Sequence, residues 1–237
     1  MFSKTGHTLV ISNPFWRYFD MVKELIYTYF ISLFILLIVT YRNRRSGLRI
    51  SLKVFTSLLF VGIAFLGFRP LAFSFNYAYF IFAGLVFSAL GDLLLGFTHN
   101  ASYKDNIMLR DGIIAFSLAH IAFIIGFNII QPFTQYLLLF IPLGAATLFI
   151  LLTHPKLIDT GNLRLPLVLY SFIIITMVLT ALNTNMSLLI IGALCFVISD
   201  IILGIAFLYG EKHRFLPILN LLIYYIGQLC LALFLLK

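Results

Sequence analysis

The chain has 237 residues, of which 62% are hydrophobic and 10% charged, with a mean hydropathy of +1.08. A soluble domain carries about 25% charged residues, so a soluble globular fold, a disordered chain and a disulfide-stapled secreted module are excluded. The formal charge is +8, but the basic residues occupy short loops rather than one face of a folded domain, which argues against nucleic acid as a partner.

What remains is an all-α polytopic integral membrane protein. At about 20 apolar residues per crossing, the length leaves room for roughly eight helices and no appended soluble domain. The apolar stretches are continuous rather than alternating, which argues against an outer-membrane barrel. In chain order, the predicted spans are 25–41, 52–68, 77–97, 112–130, 136–152, 165–182, 187–209 and 216–236. Polar or proline-containing stretches separate them. Residues 1–24 form an N-terminal interfacial segment, with Phe15, Trp16, Tyr18 and Phe19 as an aromatic anchor. They are too polar for a signal-peptide core and have no small-residue cleavage site. Residues 25–237 read as one eight-helix transmembrane domain. Cys195 and Cys230 fall inside apolar runs and read as small core residues.

Eleven of the sixteen Lys and Arg residues lie in the connections after spans one, three, five and seven. The positive-inside rule places those connections in the cytoplasm and both termini outside. The membrane is expected to be a bacterial inner membrane or an ER-type membrane.

Spans three and seven are alike. Gly84, Asp92, Leu95 and Gly96 recur as Gly192, Asp200, Leu203 and Gly204, and the same offset of 108 carries His120 onto Gln228. The sequence therefore reads as two parallel four-helix repeats.

Six of the eight acidic residues, Asp20, Glu24, Asp105, Asp111, Asp159 and Glu211, are placed in termini or loops, where solvation explains them. Asp92 and Asp200 lie within apolar spans, where a charged Asp costs about 2.5–3.5 kcal/mol near the helix centre. Gly84, Ser88, Asp92 and Gly96 share one helical face, as do Gly192, Phe196, Asp200 and Gly204. Faces this rich in small residues direct both aspartates into the bundle. His120 is the only histidine inside a span, since His7, His99, His154 and His213 fall outside the spans. From the cytoplasmic ends, Asp92 lies about 6–8 Å deep, His120 about 12 Å, Tyr225 about 13 Å, Asp200 about 14 Å and Gln228 about 18 Å. Lys53 sits at the cytoplasmic mouth of span two, its stem long enough to snorkel toward head groups. The predicted site is a polar pocket opening toward the inner leaflet.

These residues resemble the YhhN family of membrane lysoplasmalogenases. The likeness runs from about Lys53 to Gln228 through GLVFSALGD (84–92), AFSLAH (115–120) with Phe123, GALCFVISD (192–200) and YYIGQ (224–228). Lys53-Val-Phe-Thr-Ser is similar to the family's Lys-Pro-Leu motif, with Val54 where proline is usual. The resemblance implies hydrolysis of the 1-alkenyl ether bond of a lysophospholipid substrate, giving a fatty aldehyde, with no cofactor and no metal. That chemistry protonates carbon and passes through an oxocarbenium ion, for which a pair of carboxyls, one acidic and one ionised, is suited. Asp92 and Asp200 are the expected pair, in either order, and His120 the expected water-orienting or proton-shuttling group. Tyr225 and Gln228 would support by hydrogen bonds, Lys53 would meet the phosphate, and Ser88 and Ser199 are lesser candidates for substrate binding. Two other readings stay open: a proton-coupled lipid or small-molecule transporter, and an intramembrane aspartyl protease, although Ala89 replaces the first glycine of that class's Gly-x-Gly-Asp signature and no Pro-Ala-Leu motif occurs. The single span histidine excludes a three-histidine zinc site, but not one made of His120 and both aspartates.

Overall fold

Backbone amides have no water to bond in hydrocarbon, so runs as apolar as these satisfy them within helices. The computed structural model describes residues 14–43, 46–68, 76–98, 107–152, 160–209 and 215–237. Eight α-helices are found among the described residues: α1 Pro14–Arg42, α2 Gly47–Phe68, α3 Asn76–Gly96, α4 Ile107–Ile130, α5 Phe140–Leu152, α6 Arg164–Asn183, α7 Ser187–Tyr209 and α8 Leu216–Phe234. Seven of them are long and apolar enough to cross a membrane. The exception is α5, whose 13 residues rise only about 20 Å. A 3-10 turn, Tyr136–Leu139, precedes it and adds about 8 Å, which nearly completes a crossing. The protein is an integral membrane protein.

Helix starts differ from the sequence reading in four places: α2 begins at Gly47 rather than 52 and α5 at Phe140 rather than 136, besides α1 and α4. α1 is already helical from Pro14, so Asp20 and Glu24 lie on exposed turns of that helix. Tyr18, expected in an interfacial anchor, donates its hydroxyl to the Leu66 carbonyl at 3.2 Å and so fastens α1 to α2. α4 begins at Ile107, which puts Asp111 inside the helix rather than in a loop, with Arg110 3.1 Å away. A neighbouring guanidinium explains how that end of the helix carries an acid. His7, His99, His154, His213, Asp105, Asp159 and Glu211 lie outside the described residues.

The distribution of polarity is the reverse of a soluble protein's. Phe34, Leu58 and Phe65 are exposed, whereas Lys53, Ser57, Ser88, Asp92, His120 and Gln228 are buried. Lipid replaces water as the outer solvent, so apolar surface costs nothing and polar groups collect inside. Along α1, Tyr29, Leu33 and Leu36 face inward while Phe30, Ile31, Phe34 and Ile38 face out, a division set by the 3.6-residue period.

Packing follows the internal repeat. α3 packs most extensively on α4, and α7 on α8; α1 pairs with α2, α5 with α6, and the halves join where α4 meets α6 and α2 meets α8. The close approaches are also repeated at the offset of 108. A Cβ at Gly84 would lie 2.4 Å from the Phe123 ring, and one at Gly192 would lie 2.8 Å from Leu231. Gly204, expected on the same small-residue face, has nothing within 4 Å and is not a packing glycine. On the opposite side of the bundle from the site, Asn185 turns the chain from α6 to α7 at φ 56, a conformation asparagine tolerates.

The tightest backbone approach is between α2 and the end of α8. A Cβ at Gly67 would sit 2.5 Å from the Leu235 carbonyl oxygen, and backbone cannot rotate away as a side chain can. Gly67→Ala is therefore expected to lower stability by about 1–3 kcal/mol or more. Thermal unfolding in detergent measures it, and a melting point equal to wild type would contradict the packing.

Candidate active site

The polar groups converge near one face of the bundle, where α1, α3 and α7 end and α2, α4, α6 and α8 begin. At about 1.5 Å per residue, Asp92 lies about 6 Å from the end of α3 and Lys53 about 9 Å from the start of α2. By the same rise Asp200 lies about 14 Å from the end of α7 and Tyr224 about 12 Å from the start of α8. Because α4 starts five residues earlier than expected, His120 lies about 20 Å along it, near mid-helix.

Asp92 is 1% exposed and forms the centre of a first cluster. Lys53 Nζ lies 3.0 Å from its Oδ1. Ser57 and Tyr224 donate to its Oδ2 at 2.6 and 2.8 Å. Tyr225 donates instead to the Lys53 carbonyl at 2.9 Å, with its oxygen 3.1 Å from the Ser57 hydroxyl. The Tyr225 carbonyl in turn accepts from Tyr29 of α1 at 2.6 Å. The snorkelling expected of Lys53 does not occur: the side chain turns inward and the residue is 7% exposed. A buried carboxylate gives the ammonium a partner that lipid cannot, and the surrounding donors satisfy the rest of the carboxylate.

Asp200 belongs to a second cluster with a different character. It is partly exposed rather than buried, and Tyr170 of α6 donates a short hydrogen bond to its Oδ2. The Tyr170 oxygen lies 3.0 Å from His120 Nε2. Because the tyrosine proton is committed to Asp200, the histidine nitrogen is the donor in that contact. His120 Nδ1 is then an acceptor, buried and without a partner among the described residues. Among the described residues, no cation accompanies Asp200 in the way Lys53 accompanies Asp92.

The two clusters share a wall. The Phe196 ring stands edge-on to both His120 (centroids 4.6 Å apart) and Tyr224 (5.2 Å). The carboxyls are within electrostatic reach of each other, yet each is hydrogen-bonded within its own cluster. Of the other expected residues, Ser199 is taken up by Asn220, which donates to its carbonyl at 2.7 Å and contacts its hydroxyl at 2.9 Å, an α7–α8 clamp. Ser88 Oγ is buried and unbonded. The Gln228 amide lies near the Tyr224 hydroxyl, but neither of its polar atoms completes a hydrogen bond.

Three participants escaped the sequence reading: Ser57, Tyr170 and Tyr224. Ser57 lies four residues after Lys53, a spacing that puts both on one helical face. Tyr224 stood beside the chosen Tyr225. Nothing in the sequence around Tyr170 marks it.

The YhhN family profile matches residues 48–235, from the second residue of α2 to the end of α8, and contains both carboxyls and the side chains that bond them. The chain belongs to the YhhN family. No curated protein and no solved structure matches it. Within this YhhN chain the match leaves out α1, which meets the site through Tyr29, by a hydrogen bond to backbone rather than to either carboxyl.

Proposed function

We propose that the chain hydrolyses the 1-alkenyl ether bond of lysoplasmalogens, releasing a fatty aldehyde and a glycerophospho-ethanolamine or -choline. The observation that supports this most is the contrasting environment of the two intramembrane carboxyls. Asp92, held by an ammonium and two hydroxyls, is the fixed anion. Asp200, partly exposed and without a cation among the described residues, is the proton donor, because an unpaired charge at that depth costs more than a neutral acid. Two carboxyls set apart by their surroundings are how one site supplies both an acid and a base.

In the reaction, Asp200 gives its proton to the β-carbon of the vinyl ether, and the double-bond electrons form that C–H bond. The resulting oxocarbenium ion lies in the field of Asp92. Water adds to the cationic carbon, and the hemiacetal breaks its C–O bond to the glycerol to leave the aldehyde. With Lys53 committed to Asp92, the lipid phosphate is left to the basic rim, where Arg42, Arg49, Arg110 and Arg164 stand at the same ends of α1, α2, α4 and α6 as the site. That arginine-rich rim also supports a cytoplasmic-facing site.

The test is purified protein in detergent, with no second compartment, incubated with a 1-alkenyl lysophospholipid. Stoichiometric loss of the vinyl ether with release of aldehyde is the expected result. Binding without consumption would replace the enzyme by a lipid carrier, and cleavage of a membrane peptide instead would favour the protease.

A further inference from the structure

The hydrolase chemistry leaves one requirement unmet by the carboxyls alone. Asp200 loses its proton to carbon in the first step, and the attacking water must shed one in the second. An unbroken hydrogen-bonded line runs away from Asp200: Tyr170 donates to its Oδ2, and His120 Nε2 contacts the Tyr170 oxygen at 3.0 Å. The line ends at His120 Nδ1, an acceptor with no partner among the described residues. It draws on three helices, α7, α6 and α4, and the imidazole is held edge-on against Phe196 at 4.6 Å. A histidine kept only as a clamp between helices would be satisfied by its contact with Tyr170. The unpartnered second nitrogen, 0% exposed with the rest of the side chain, is the feature that needs a purpose.

We infer that Tyr170 and His120 form a proton-return path that recharges Asp200 during each turnover, a role that rests on the hydrolase reading. As water bonds to the cationic carbon, its proton passes to His120 Nδ1, the Nε2 proton passes to the Tyr170 oxygen, and the Tyr170 proton passes to the Asp200 carboxylate. When the hemiacetal collapses, the line runs the other way. Nδ1 protonates the departing ether oxygen, Nε2 recovers its proton from Tyr170, Tyr170 recovers its own from Asp200, and Asp200 takes the hemiacetal hydroxyl proton. Every group ends as it began, and no other reactant is consumed. Tyr170 acts on the substrate only through Asp200, so it is a positioning and relay residue.

The experiment compares the first turnover with the steady state for wild type, Tyr170→Phe and His120→Gln in detergent, with a thermal melt of each. His120→Gln retains an N–H toward Tyr170 but cannot accept a proton and pass another on. In both variants the expected result is a fast loss of vinyl ether approaching one per protein, with aldehyde release lagging behind it and steady turnover about 10²-fold slower, at unchanged KM. The wild type gives no such burst. His120→Gln turning over as fast as wild type would overturn the return path. So would a first loss of vinyl ether slowed as much as the steady state, which is the mark of a Tyr170 that merely orients Asp200. A wild type that releases no aldehyde overturns the hydrolase reading and the path with it, whereas an active wild type with unaffected variants overturns the path alone.

Discussion

Asp200→Asn is expected to lower aldehyde release by about 10²–10⁴-fold while leaving the melting temperature unchanged. The amide has the shape of the carboxyl, and its oxygen still accepts the Tyr170 hydroxyl that holds Asp200 in place. Among the described residues no cation depends on this side chain, so the exchange strands no buried charge there. What disappears is the transferable proton, since an amide does not protonate carbon. The measurement pairs product release with unfolding of the same detergent-purified sample. Activity near wild type in a folded Asp200→Asn protein removes Asp200 as the acid.

Asp92 responds differently because it is bound to Lys53. Asp92→Asn keeps the shape and the two hydroxyl contacts but leaves the Lys53 ammonium buried without a counter-charge. Breaking a buried pair from one side costs about 3–5 kcal/mol. Lys53→Met carries a similar cost, since the lone carboxylate is then uncompensated. In the double variant Lys53→Met with Asp92→Leu, both charges are gone and apolar groups fill the space, so most of the lost stability returns. Activity does not return, because the anion facing the cationic intermediate is absent. A double-mutant cycle in thermal or denaturant unfolding isolates the coupling. Single variants as stable as wild type would mean that the 3.0 Å contact contributes nothing, and a stable, active double variant would dismiss Asp92 from the chemistry. The inward turn of Lys53 is what makes an Asn at position 92 costly to the fold.

The sequence by itself determined the membrane character, the helix count and the two depths at which acids enter the bundle. Those follow from composition and one-dimensional spacing: hydrocarbon permits little but helices, and an Asp in an apolar run stands out against its neighbours. The repeated Gly-to-Asp spacing of α3 and α7 was legible for the same reason, and the packing of Phe123 on Gly84 and Leu231 on Gly192 is its three-dimensional counterpart. Only the tertiary structure decided which hydroxyls meet which carboxyl. Tyr224 and Tyr225 are adjacent in sequence, yet about 100° of helical rotation sends one to Asp92 and the other to the Lys53 carbonyl. Tyr170 and Ser57 are ordinary residues in their helices, and they acquire roles from the way α6 packs on α7 and α2 on α3. Whether Lys53 reached outward or inward depended on a carboxylate 39 positions away in the chain. Local sequence sets where along a helix a group lies, while crossing geometry between helices sets what it touches.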